Sequence, residues 1–130
     1  MNMRLNFHHI GIACLDLEKT ASSIVGMLGA SEDSGKVFDP NQNASVRLLK
    51  IDEHLQIELV SGPVVEGVLR ANGTYYHVCF QTPVLEEAIA GLQACGMLVV
   101  SPPKEAVLFS NRRVAFLFGP FGLVELLESA

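Results

Sequence analysis

The chain has 130 residues, 49% of them apolar, with 9 basic against 14 acidic side chains and a formal charge of −5. That length and apolar content suit a single domain spanning residues 1–130 with its own core. No run of like charge supplies the clustered Lys or Arg that phosphate contacts need, which argues against a nucleic-acid partner.

Cys14, Cys79 and Cys95 are odd in number and match no CxxC pair. The N-terminus lacks the apolar stretch of a signal peptide, and no segment approaches transmembrane length. A soluble cytoplasmic protein, with no membrane partner, is expected.

Residues 5–13 read as a short apolar opening strand. Leu17, Ala21, Ile24 and Leu28 then recur at spacings of four, three and four, the period of one helix face, and Gly29 falls where a helix C-cap is expected. Three strands follow, at about 31–38, 45–51 and 55–60, with a loop over Asp39-Pro40-Asn41-Gln42-Asn43. The Gly- and Pro-containing stretch at about 62–73 is a linker with a short helical turn.

A second set then begins. Residues 75–81 form another opening strand, Leu85, Ala88, Ile89 and Leu92 mark a helix face, and Gly96 stands at its end. Strands are expected at about 97–101, 112–118 and 123–127, separated by a loop over Ser101-Pro102-Pro103-Lys104 and a turn over Gly119-Pro120-Phe121-Gly122.

The two sets are copies of one unit. HHIGIACLDLEKTA from His8 aligns without a gap with YHVCFQTPVLEEAI from Tyr76, an offset of 68 that pairs His9 with His77 and Glu18 with Glu86. A slip of one residue pairs Ile57-Glu58-Leu59 with Val124-Glu125-Leu126. The expected architecture is α+β: two tandem βαβββ modules, about 5–61 and 74–128, forming a curved mixed sheet around a metal-binding cleft.

The repeat gives each opening strand one His and each closing strand one Glu, 49 residues apart in the first copy and 48 in the second. A pseudo-twofold relation can therefore aim His9, Glu58, His77 and Glu125 at one point. Two imidazoles and two carboxylates supply nitrogen and oxygen donors suited to one divalent ion, Zn, Ni, Co, Mn or Fe. Each residue alone reads as readily as a core histidine or an edge-strand charge. Glu58 and Glu125, however, both sit inside apolar runs, LQIELV and GLVELL, where an unpaired charge is costly.

Other residues carry weaker signals. Strand alternation puts Cys79 and Gln81 on the face of His77, where they would contact substrate, although a buried Cys is more often inert. Either Arg112 or Arg113 could reach the site to bind a carboxylate or phosphate, against the alternative of an ordinary solvated strand end. Only His9 keeps the offset that His77 fixes, so His8 is expected on the opposite face in a structural role. His54 should lie in a solvent-facing loop.

The segments FHHIGIACLDLEKT, LQIELV, YYHVCFQTPVLEEAIAGLQACG and RRVAFLFGPFGLVELLE resemble the vicinal oxygen chelate (glyoxalase/bleomycin resistance/dioxygenase) superfamily, over nearly the whole chain. HHIGIA, LEEAI and RRVAFLF are most similar to its methylmalonyl-CoA epimerase-like and glyoxalase-like branches. The resemblance implies that His9, Glu58, His77 and Glu125 are metal ligands. It further implies a metal-dependent isomerase or lyase in which Glu125, with Glu58 sharing the task, removes a proton next to a carbonyl while the metal stabilises the enediolate.

The substrate so implied is a small molecule: an acyl thioester, a thiol adduct or a small acid. Alternatives within the same fold are glyoxalase I proper and a non-enzymatic binding or resistance protein. The pattern departs from the epimerases where they resemble one another in carrying a second acid. That loop position holds an amide here, Asn41 or Gln42, with Asp39 the only local carboxylate, which weighs against two-base epimerisation. A homodimer is expected from the apolar content and the need to cover sheet edges.

Overall fold

The computed structural model describes residues 4–130. It is a mixed α+β fold of short strands and three helices, and it divides into two compact units. One comprises residues 9–76, the other residues 77–130 with the described start of the chain up to His8.

In the first unit, strand β1 (Asn6–Ala13) alternates between buried and less buried positions, as a strand with one core face must. Helix α1 (Leu17–Leu28) starts at Asp16, whose side chain accepts from the Lys19 amide at 3.1 Å. It ends at Gly29, whose φ of 77° is one that a β-carbon would disfavour. The stretch expected as one strand over 31–38 is two pieces, β2 (Glu32–Asp33) and β3 (Val37–Asp39). Gly35, at φ 71°, and the Ser34 hydroxyl, which accepts from the Leu48 amide, turn the chain between them.

Strands β4 (Ala44–Lys50) and β5 (Gln56–Ser61) complete the half-sheet. Its order is β2-β4-β5-β1, with β3 also on β4. Only β1 and β5 run parallel. Leu49 and Leu59 pack against Leu17 and Ala21 of α1, so one sheet face belongs to the helix and the other carries Val46, Leu48, Glu58 and Val60. A 3₁₀ turn (Pro63–Val65) and the short helix α2 (Glu66–Arg70) form the connection.

The second unit repeats the plan with β6 (Tyr75–Thr82), helix α3 (Leu85–Ala94), β7 (Leu98–Ala106), β8 (Arg112–Gly119) and β9 (Gly122–Glu128), in the order β6-β9-β8-β7. Leu85, Ala88, Ala115, Leu117, Val124 and Leu126 form its helix-side core. The loop expected over residues 101–104 is instead part of β7. The strand crosses Pro102 and Pro103 with irregular pairing to β8 on either side of Ser101, since proline cannot supply a ladder N–H. No helix among the described residues is long and apolar enough to cross a membrane.

Both units tie the first turn of their helix to the sheet with an arginine. Arg47 of β4 contacts Glu18 of α1 at 3.0 Å and also binds Asp33. Arg113 of β8 contacts Glu86 of α3 at 2.9 Å and also binds Glu128. The guanidiniums hold the Asp33 and Glu86 carboxyls below the usual carboxylate range.

Candidate metal centre

In the first unit, β1 and β5 run side by side with Gly11 opposite Glu58. His9 lies two residues earlier on the same face of β1. The two side chains meet on that face. His9 Nε2 stands 3.2 Å from Glu58 Oε1, with His9 at 0% and Glu58 at 3% exposure.

In the second unit, β6 and β9 repeat the relation, with Cys79 opposite Glu125. His77 again lies two residues earlier, and its Nε2 is 3.1 Å from Glu125 Oε1. Both residues are buried, and the ring of Phe116 stands edge-on to that of His77 at 5.5 Å. In both copies the Glu faces the residue two beyond the His. The one-residue slip between the repeats is therefore absorbed elsewhere in the chain, and the strand register is the same.

The geometry fits a metal donor set. Ligand atoms about 2.1 Å from a common ion, at angles between octahedral and tetrahedral, lie about 3.0–3.4 Å from each other, the range into which both contacts fall. A buried His/Glu group of this kind could hold one divalent ion. Carboxylate and imidazole donors select no single metal among the borderline and hard ions.

Cys79 is fully buried. Gln81, farther along the same face of β6, accepts a hydrogen bond from Arg112 at 3.3 Å, and Arg112 also donates to the carbonyls of Phe109 and Glu128. Arg112 alternates with Val114 and Phe116 on β8, so its parity is that of the face bearing His77. Arg113 has the other parity and is engaged by Glu86 and Glu128 on the helix side, away from that face. Alternation along β8 separates the two arginines once the residue against α3 is known, a contact that sequence alone does not fix. The His8 ring packs edge-on against Phe109 at 5.4 Å, and His54 is exposed in a loop.

Asp39 is fully buried at the end of β3. Its oxygens accept from the Asn41 amide and from Gln42 Nε2, both at 2.9 Å, so it shapes the turn that follows it.

Residues 8–116 match the family model described as Glyoxalase/Bleomycin resistance protein/Dioxygenase superfamily. No curated protein matches the chain significantly. Among solved structures, the chain is similar to methylmalonyl-CoA epimerase from Mycobacterium tuberculosis, at 22% identity and TM-score 0.81, covering 96% of this chain and 88% of that one. A variant of the Streptomyces coelicolor methylmalonyl-CoA epimerase, in complex with 2-nitronate-propionyl-CoA, is 25% identical at TM-score 0.81, covering 98% and 99%. A hypothetical protein from Bacillus halodurans C-125 is 22% identical at TM-score 0.78, covering 100% and 96%.

Proposed function

The chain belongs to the glyoxalase/bleomycin resistance protein/dioxygenase superfamily, and we propose that within it the protein is a divalent-metal-dependent isomerase or lyase, epimerase-like or glyoxalase-like, that removes a proton next to a carbonyl. The residues that the repeat pairs, His9 with His77 and Glu58 with Glu125, would together hold one ion. The observation that carries this reading is the buried His–Glu contact made twice, at 3.2 and 3.1 Å, with the same strand register.

The ion, when bound, acts as a Lewis acid toward substrate oxygens beside the developing negative charge. Glu125 is the proton acceptor and Glu58 shares that task, since a carboxylate in a dry site moves a proton over a short path without reorganising solvent. Burial of all four side chains excludes water from the carbanion-like species. Asp39 is held by Asn41 and Gln42, which favours one-base proton transfer through Glu125 over a reaction with a second acid in that loop. Cys79, Gln81 and Arg112 are the substrate contacts carried by the second unit.

The substrate is a small molecule, an acyl thioester, thiol adduct or small acid, in keeping with the acyl-CoA analogue bound by the Streptomyces protein. A cytoplasmic homodimer is part of this reading.

Deuterium incorporation from solvent into methylmalonyl-CoA, with Zn, Co, Ni or Mn supplied, tests the epimerase-like branch, and no exchange with any of them eliminates it. Turnover of the methylglyoxal–glutathione adduct assigns the protein to glyoxalase I instead. A chain that takes up no metal after soaking would favour the binding-protein alternative.

A further inference from the structure

The two copies of the repeat differ at the residue that faces each carboxylate from the next strand. The offset of 68 that pairs His9 with His77 also pairs Leu48 with Phe116. The strand registers agree, with Leu48 opposite Glu58 on β5 and Phe116 opposite Glu125 on β9. Leu48 is half-buried, whereas Phe116 is 6% exposed. The first copy thus sets a branched aliphatic chain across from its Glu, and the second a buried aromatic ring.

That ring reaches beyond the adjacent strand. β6 and β8 lie on either side of β9, so their backbones are two strand spacings, about 10 Å, apart. Phe116 and His77 close this gap, with ring centroids 5.5 Å apart and planes at 82°, the T-shaped arrangement that ring quadrupoles favour. The torsion that turns an imidazole about its Cβ–Cγ bond is broad and has no sharp staggered wells to hold it. The lone pair of a ligating nitrogen lies in the ring plane, so a ring that turns loses its aim. A perpendicular ring in contact restricts that turn. A leucine fills space without setting the plane.

We infer that Phe116 is a positioning residue: it locks the plane of the His77 imidazole so that Nε2 stays directed at the point it shares with Glu125 Oε1, 3.1 Å away. This deepens the proposed function and rests on its assignment of His77 as a metal ligand. His77 and Glu125 are therefore ordered before an ion arrives, and the ordering comes from a side chain that is not itself a ligand. Outer partners of this kind are how a protein orients the groups that bind a metal.

The test compares three variants of the full chain. Phe116→Leu installs the first copy's residue, Phe116→Tyr keeps the ring, and Leu117→Val trims the helix-side core one position along β8. In metal-free protein the ring current of Phe116 should displace the imidazole C–H proton resonances of one histidine, identified by their loss in His77→Ala. Phe116→Leu should return them toward the ordinary imidazole position, while Phe116→Tyr and Leu117→Val leave them displaced. In chelator competition with Zn or Co, Phe116→Leu should hold the ion about 10-fold to 100-fold more weakly, the range for losing a partner that orients a ligand. The visible spectrum of the cobalt form should change with it, and the other two variants should stay close to wild type. Thermal melts are run on the same samples. An affinity loss that follows melting temperature across the set, Leu117→Val included, would show that Phe116 acts by packing alone and overturn the assignment. Undisplaced resonances in wild type, or wild-type affinity and spectrum in Phe116→Leu, would overturn it as well. Displaced His77 resonances in a protein that takes up no metal keep the hold of Phe116 on the ring and remove the metal reading, and metal uptake unchanged by Phe116→Leu does the reverse.

Discussion

Glu125 Oε1 lies 3.1 Å from His77 Nε2, and this contact reproduces within 0.1 Å the one that Glu58 makes with His9 in the other copy of the repeat. Two buried pairs with one geometry are costly if nothing further engages them, because each carboxylate gives up its water. A bound cation would offset that cost.

Metal uptake is the first consequence. Purified protein soaked in Zn, Co, Ni or Mn and desalted should retain about one ion per chain by elemental analysis. His77→Ala should weaken retention by about 100-fold or more in chelator competition, since even loss of an outer-sphere partner costs 10–100-fold. Equal retention by the variant would show that the ion sits elsewhere.

Glu125→Gln should slow solvent deuterium exchange at the carbon next to the substrate carbonyl by about 10²–10⁴-fold, the range expected for a general base. Metal content of the variant is determined alongside. A variant that holds metal and still exchanges at the wild-type rate would move the base to Glu58 or to another residue.

Much of this centre is legible in the sequence because duplication does what composition cannot. One His in an apolar strand means little, whereas His9 and His77 at the same place in two copies, with Glu58 and Glu125 following at nearly equal distance, define a constraint. The arginines were not legible to the same degree. Arg112 and Arg113 differ by one residue and hence by sheet face, and only the contact of Arg113 with Glu86 shows which face is which. The strand through Pro102 and Pro103 was missed because local sequence argues for a loop there, and the pairing of β7 with β8 overrides it. The separation of β2 from β3 depends on backbone conformation at Gly35 and on the Ser34–Leu48 hydrogen bond, neither of which leaves a periodic trace.

The two helix-side cores should be of comparable importance. Leu59 in the first and Leu126 in the second are both fully buried, so Leu59→Ala and Leu126→Ala should each lower unfolding free energy by about 2–5 kcal/mol in denaturant titrations. A loss below 1 kcal/mol at either position would mean that its core is far less tightly packed than described.

Asp33 has a folded-state pKa held down, first by its hydrogen bond with Arg47. A depressed carboxyl pKa contributes stability that is fully present above the unfolded value and is lost as pH falls through the folded one. The melting-temperature difference between wild type and Arg47→Met should therefore be small and constant from pH 8 to about pH 5, then shrink below about pH 4. A difference that grows on acidification would mean that Arg47 acts through something other than Asp33 and Glu18.

The path of β7 through two consecutive prolines has a bearing on how the protein survives at high concentration. This strand terminates its half of the sheet order and carries Leu98 and Val100 largely uncovered, the kind of margin on which foreign chains can extend a sheet into fibrils. Pro102 and Pro103 lack the amide hydrogens such growth requires, and the irregular pairing around Ser101 breaks its regular spacing. Replacing that pair with residues that favour regular strands would remove a safeguard against self-templating.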